Sequence, residues 1–143
     1  MQSTPASAQN TKDAIPALLQ DHGISPTAQR VEIAMILLSE RQHLSADQVL
    51  KRLDEHGAAV SKATVYNTLG LFVERSLVRQ VIVDSTKAFY DSNVEAHHHF
   101  YNADDGTLTD VDAAEVPIEQ LPRVPEGTFA EAVDIVIRIR NTT

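Results

Sequence analysis

The chain has 143 residues, no cysteine and a formal net charge of −8. Zero cysteine excludes a disulfide framework, a thiolate zinc site, a protein-held iron–sulfur cluster and a cysteine nucleophile, so any metal must sit on His, Asp, Glu or backbone groups. The hydrophobic share of 43% fits a folded chain, and the length suits one domain or two small ones.

The charge is unevenly spread. Through Asp91 there are 9 Lys and Arg against 10 Asp and Glu; beyond it there are 3 against 10. A near-neutral front and an acidic back predict two modules with different tasks, so the overall acidity does not weigh against a nucleic-acid-binding front. The longest apolar run, Ile33 to Leu38, is far short of the ~20 residues a membrane span needs. Residues 1–12 are rich in Ser, Thr, Gln, Asn and Ala and lack the pattern of an export signal, which predicts a disordered leader on a cytoplasmic protein.

Residues 13–22 read as a short helix with Ile15, Leu18 and Leu19 on one side, stopped by Gly23. Ser25-Pro26 reads as an N-cap with proline at the first helical position, and Val31, Ala34, Met35 and Leu38 then recur at helical spacing. Ser45-Ala46-Asp47-Gln48 is a capping box opening a third helix, which Gly57 stops. Ser61 opens a fourth, with Val65, Leu69, Phe72 and Val73 as its apolar stripe. The period then changes to that of strands over Leu77–Asp84 and Lys87–Asp91, with a turn at Asp84-Ser85-Thr86. Helices followed by a small hairpin is the order of a winged helix-turn-helix, expected over residues 13–91.

Residues 92–96 read as a hinge before a second module over 97–143. His97–Asn102 and Thr107–Val111 are predicted strands around an Asp104-Asp105-Gly106 turn. Val116–Leu121 is predicted as a short helix, and Ala132–Arg140 alternates as a third strand. The fold class expected is therefore α+β: a winged helix, then a small αβ module with a three-stranded sheet. The second module is too small to bury a good core alone, which predicts pairing with a second copy.

Two features carry chemistry. In a helix-turn-helix the second helix presents its N-terminal outward residues to base edges, here Ser61, Lys62, Thr64, Tyr66 and Asn67. Lysine suits phosphate or guanine, asparagine suits adenine, and a tyrosine face packs on thymine methyls. An ordinary amphipathic surface helix is the alternative. The second feature is His97-His98-His99. On a strand His97 and His99 share a face and His98 points away, so two imidazoles are placed to clamp one divalent metal, with Asp110 on the partner strand as a carboxylate. A nitrogen and oxygen shell favours iron(II), manganese(II) or zinc(II); a solvated polar edge strand is the alternative. His98 is left for a second site. His43 alone reads as a surface histidine in a loop. Catalysis finds little support, although a His/Asp cluster is also compatible with a metal-dependent hydrolase or a metal store.

Gly23-Ile24-Ser25-Pro26-Thr27-Ala28-Gln29-Arg30, His43-Leu44-Ser45-Ala46-Asp47, Ser61 to Leu69 and His97-His98-His99 together resemble the ferric uptake regulator family of metal-sensing transcription factors. The resemblance covers roughly residues 13–140. It implies a homodimer that binds AT-rich inverted-repeat operators in double-stranded DNA and controls iron homeostasis genes, with Arg30 joining the DNA-binding residues. It also implies a regulatory metal site of His43, Asp91, His97, His99 and Asp110, which raises His43 from a surface histidine to a ligand. One departure is clear. The Cys-x-x-Cys pairs that hold a structural zinc in most of the family have no counterpart; the first would fall at Asn102 and Asp105, leaving the module to be held by packing alone. That loss, with the triple histidine, is similar to the iron response regulator branch and admits haem as a ligand, less favoured than a divalent ion. Aspartate at positions 91 and 110 is similar to the peroxide-responsive branch.

Overall fold

A computed structural model describes residues 12–143. The leader expected over residues 1–12 lies, apart from Lys12, outside them. The chain divides after Val94 into two compact units.

The first unit begins with four helices: α1 Ile15–Asp21, α2 Ala28–Leu38, α3 Ala46–Glu55 and α4 Lys62–Glu74. A two-residue strand, β1 His43–Leu44, lies between α2 and α3, and the hairpin β2 Arg79–Asp84 and β3 Lys87–Asp91 closes the unit. The strands form one antiparallel sheet in the order β1-β3-β2. The core is where the helical stripes converge: Ile15, Leu19, Ile33, Leu37, Val49, Leu53, Val65, Leu69 and Phe72 are all fully buried. Burying each such side chain contributes about 1.5–3 kcal/mol before entropy is charged.

Helix starts follow side-chain chemistry. Ser45 Oγ accepts the Gln48 N–H while Gln48 Oε1 accepts the Ser45 N–H, so the capping box at α3 is complete. Ser61 Oγ accepts the Thr64 N–H at the start of α4. The cap of α2 differs from expectation. It is Thr27, whose hydroxyl accepts the Arg30 N–H, and not Ser25. Pro26 therefore precedes the helix, and the Ser25 carbonyl accepts from the Arg30 side chain. Gly23 leaves α1 at φ +73°, where a Cβ would come within 3.1 Å of Arg75 Nη1.

At the end of α4 the Leu77 N–H reaches the Phe72 carbonyl and the Ser76 N–H reaches the Val73 carbonyl. This is the paired bonding of a Schellman ending, and its left-handed residue is Ser76 at φ 60° in place of the usual glycine. The tight reversal sends Leu77 and Val78 into the core and starts the hairpin.

The second unit is a three-stranded sheet of order β5-β4-β6, with β4 His97–Asn102, β5 Leu108–Asp112 and β6 Val136–Ile139. β4 pairs antiparallel with β5 and parallel with β6. The α+β architecture read from the sequence holds for the chain as a whole, with the α-helices all in the first unit and the second unit built on its three-stranded sheet. One predicted element is not. The only helical turn near Val116–Leu121 is a 3-10 turn at Ala113–Glu115. Pro117 and Pro122 explain the loss, since each drives its predecessor, Val116 or Leu121, out of the α region and leaves at most four residues between them, too few for a stable helix. Residues 117–134 carry no element and are exposed, including Ile118, Leu121, Val124, Val133 and Phe129, the last at 82%. Among the described residues no helix is long and apolar enough to cross a membrane.

Candidate functional site

Each unit brings together part of the predicted His/Asp set. In the first, β1 pairs with β3 so that His43 lies opposite Asp91. His43 Nε2 stands 3.7 Å from Asp91 Oδ2, and the carboxylate is buried. Its other oxygen accepts the Asn93 N–H at 2.8 Å, which aims Oδ2 at the histidine. The pairing is extended by Ser92, whose N–H donates to the Gln42 carbonyl and whose hydroxyl oxygen accepts the Gln42 N–H. His43 is thus on a strand and not in a loop.

In the second unit the side-chain alternation of β4 decides the geometry. His97 and His99 share a face, their rings in edge contact with centroids 4.5 Å apart. Asp110, directly opposite His99 on β5, sets one oxygen, Oδ1, 3.3 Å from the Nε2 of both rings. The two histidines are buried while Asp110 is half exposed. His97 Nδ1 lies 2.6 Å from the Glu95 carbonyl, which has no hydrogen to give, so Nδ1 donates. That leaves the lone-pair nitrogen of the neutral ring facing a carboxylate oxygen. Two electron-rich atoms at this distance repel unless a proton or a cation lies on the nitrogen. A backbone carbonyl on one ring nitrogen with the other aimed at a carboxylate is also how protein surroundings orient a metal-ligating histidine. Two imidazoles and a carboxylate therefore fit a divalent cation of the manganese, iron or zinc type.

His98 stands apart from this set. It faces the other side of β4, is buried, and its Nδ1 accepts the Ile135 N–H at 3.1 Å. The Ile135 carbonyl in turn accepts the His99 N–H. His98 thus fixes the start of β6.

The expected nucleic-acid face is on α4. Val65, Thr68, Leu69 and Phe72 are buried, while Lys62, Ala63, Tyr66 and Asn67 face out. Tyr66 is 46% exposed. Lys62 Nζ sits 5.9 Å over the Tyr66 ring and 3.8 Å from Asp47 on α3. Ser61 and Thr64 are occupied locally: the Ser61 hydroxyl donates to Thr64 Oγ1 as well as capping the helix. Arg30 lies on α2, not α4, and its side chain donates to the Ser25 carbonyl that precedes the helix. Between the start of α3, Tyr66 and the outer face of the hairpin lies a cleft of ≈ 710 Å³, bounded by Gln48, Gln80, Ile82 and Thr86 among others. Tyr90 closes its floor, where burial raises the phenol above its usual pKa against a smaller lowering by Gln80.

Sequence reasoning found the alternation of β4 and the outward face of α4. It missed β1, the Asn93 and Glu95 backbone contacts and the hold of His98 on Ile135. No periodic signal marks a two-residue strand, and the backbone contacts carry no side-chain signature.

A sequence profile described as the ferric uptake regulator family matches residues 21–137. The peroxide-responsive repressor PerR of Staphylococcus aureus (strain Mu50) is 30% identical over 94 residues, 66% of this chain. The chain spans 64% of the length of that repressor. Among solved structures, the ferric uptake regulator of Pseudomonas aeruginosa with manganese superposes with a TM-score of 0.68 at 27% identity, covering 90% of this chain and 98% of that one. The ferric uptake regulator of Vibrio cholerae gives 0.69 at 22% identity, covering 88% and 98%, and shares the fold. The profile match takes in most of both units and the whole of the His/Asp set, and the chain belongs to the ferric uptake regulator family.

Proposed function

We propose that the protein is a metal-responsive, DNA-binding transcriptional regulator of the cytoplasm that acts as a homodimer on AT-rich inverted repeats. The observation that carries the reading is the shared approach of His97 and His99 to one oxygen of Asp110, with His97 Nδ1 committed to a backbone carbonyl. His43, Asp91, His97, His99 and Asp110 would hold one iron(II) or manganese(II), with zinc(II) admitted by the same donors. When bound, the cation would supply positive charge that the two carboxylates offset, while the neutral imidazoles would donate their lone pairs.

Because the ligands come from both units, occupancy would favour one arrangement of the units over others, which is how a local charge event changes affinity at a distant face. Lys62, Tyr66 and Asn67 would read the operator from the outward side of α4, and Ser61 and Thr64 would hold that helix start in shape. Homodimerisation is supported by the apolar side chains the second unit leaves uncovered, Leu121, Phe129, Ile137 and Ile139 among them. His98 has no ligand role in this reading, since its Nδ1 already accepts a backbone N–H; this also disfavours haem at that position. A hydrolytic or storage role would leave Tyr66 and Lys62 without a task.

The similarity to a peroxide-responsive repressor, with aspartate at both 91 and 110, favours a second response of the same site: oxidation of a ligand histidine by peroxide when iron(II) is bound. It is read as a gain of one oxygen atom on His97 or His99 by mass spectrometry.

The test of the main reading is fluorescence anisotropy on an AT-rich inverted repeat and a scrambled duplex at one fixed salt concentration, with manganese(II), iron(II), zinc(II) or chelator. At least one ion should change the preference for the repeat over the scrambled duplex. Equal binding of both duplexes under every condition overturns the reading.

A further inference from the structure

A structural zinc held by thiolates does not fit this chain, which has no cysteine. Nor is packing alone what holds the second unit together. The turn after β4 and the residues after β6 are joined by a dense set of polar contacts. Asp104 Oδ1 accepts from Arg140 Nη1 at 2.7 Å, and Asp104 Oδ2 accepts the Asn141 N–H at 2.8 Å. Asn102 Nδ2 donates to Asn141 Oδ1 at 2.8 Å, while Asn102 Oδ1 accepts the Asp104 and Asp105 N–H groups. The Ala103 N–H adds a bond to the Ile139 carbonyl at 3.0 Å.

We infer that Asn102, Asp104, Arg140 and Asn141 form a metal-free clip that closes the second unit, so that its fold depends on neither a structural metal nor thiol redox state. The geometry separates this from a chance surface ion pair. An exposed Asp–Arg pair alone contributes little. Here both oxygens of one carboxylate and both ends of one amide are committed, and three of the bonds are to backbone N–H groups that a side-chain rotation cannot satisfy elsewhere. Such a network is worth more than its pairs taken singly.

The position matters as much as the number. β6 is a four-residue edge strand in parallel pairing, with Ile137 and Ile139 partly exposed. Short terminal strands with few buried contacts are the first to open. The clip grips this strand at its C-terminal end, opposite the end that His98 fixes through Ile135. The consequence is a division of labour: metal occupancy at the His/Asp set can change while the sheet beneath it stays closed. The clip itself involves none of the His/Asp set, so its role stands apart from the metal binding proposed above.

The test is amide hydrogen exchange on the full-length protein, following the Asn141 and Ala103 N–H groups, with amides of α3 as an internal control. In the wild type, excess EDTA should leave their protection within about twofold, while Asp104→Asn speeds their exchange about tenfold or more and leaves α3 unchanged. Should Asp104→Asn fail to fold, Arg140→Gln keeps the Asn141 bond to Asp104 and should give a smaller acceleration at the same two amides. Acceleration by EDTA in the wild type overturns the inference, as does unchanged exchange in both Asp104→Asn and Asn102→Ala.

Discussion

His97 and Asp110 meet across the β4–β5 pair with Nε2 3.3 Å from Oδ1, while Nδ1 of the same ring donates to the Glu95 carbonyl behind it. The ring is held from both sides, and His99 repeats the approach to the same oxygen. Removing the shared carboxylate should therefore cost more than removing an outer partner. Asp110→Ala is expected to weaken manganese(II) binding by at least the ~10–100-fold typical of outer-shell losses, measured by competition with a metal-binding dye. Tyr66→Ala should leave metal uptake unchanged.

The face of α4 gives a complementary expectation. Tyr66→Ala should cost roughly 1–3 kcal/mol on the preferred duplex and less on a scrambled one, as a base contact does. Lys62→Ala should lower affinity for both and reduce the slope of log K against log salt by about 0.9 if Lys62 meets one phosphate. A salt titration of both variants by anisotropy separates the two roles. Metal binding should survive in each.

Ser76 holds a left-handed conformation that L side chains adopt at a cost of roughly 1–2 kcal/mol, and glycine escapes most of that cost while losing some through its looser unfolded state. Ser76→Gly is expected to stabilise the first unit by about 0.5–1 kcal/mol, seen as a higher urea midpoint with an unchanged slope. A lower midpoint would mean that the serine hydroxyl contributes more than its backbone strain costs.

Asp105 accepts first from the Thr107 hydroxyl and then from the Thr107 N–H, and its carboxyl lies below the ordinary aspartate range for that reason. A carboxyl depressed on folding contributes stability above its unfolded value of about 3.9, and that contribution is lost as pH falls through the lower folded value. Thr107→Val should move the Asp105 midpoint upward, toward the ordinary value, in an NMR titration. Acid unfolding of the second unit should then begin at a slightly higher pH.

Much of the fold was legible because it is written in local chemistry. Ser45 and Gln48 announce a capping box, and β4 runs from His97 to Asn102 as its alternation indicates. Where two local signals competed, sequence alone chose less well. Ser25-Pro26 looks like a helix start, yet the Thr27 hydroxyl is the one within reach of the Arg30 N–H. Val116–Leu121 has helical spacing, but its flanking prolines deny it a backbone. The site was less legible than the fold. His97, His99 and Asp110 follow from strand alternation, whereas the pairing of His43 with Asp91 depends on a two-residue strand joining distant parts of the chain. Only the family resemblance pointed to that pair.

The short strand β1 also sets a limit on how the sequence can change. Within six residues, His43 to Gln48, the chain supplies a candidate ligand, a buried Leu44, the cap of α3 and its reciprocal partner. Side chains on a strand alternate, so one inserted or deleted residue between His43 and Ser45 would exchange ligand for core and detach the cap together. This stretch therefore has a fixed length and is closed to insertion. A change of length is expected to be tolerated better in residues 117–134, where no strand or helix has to keep step.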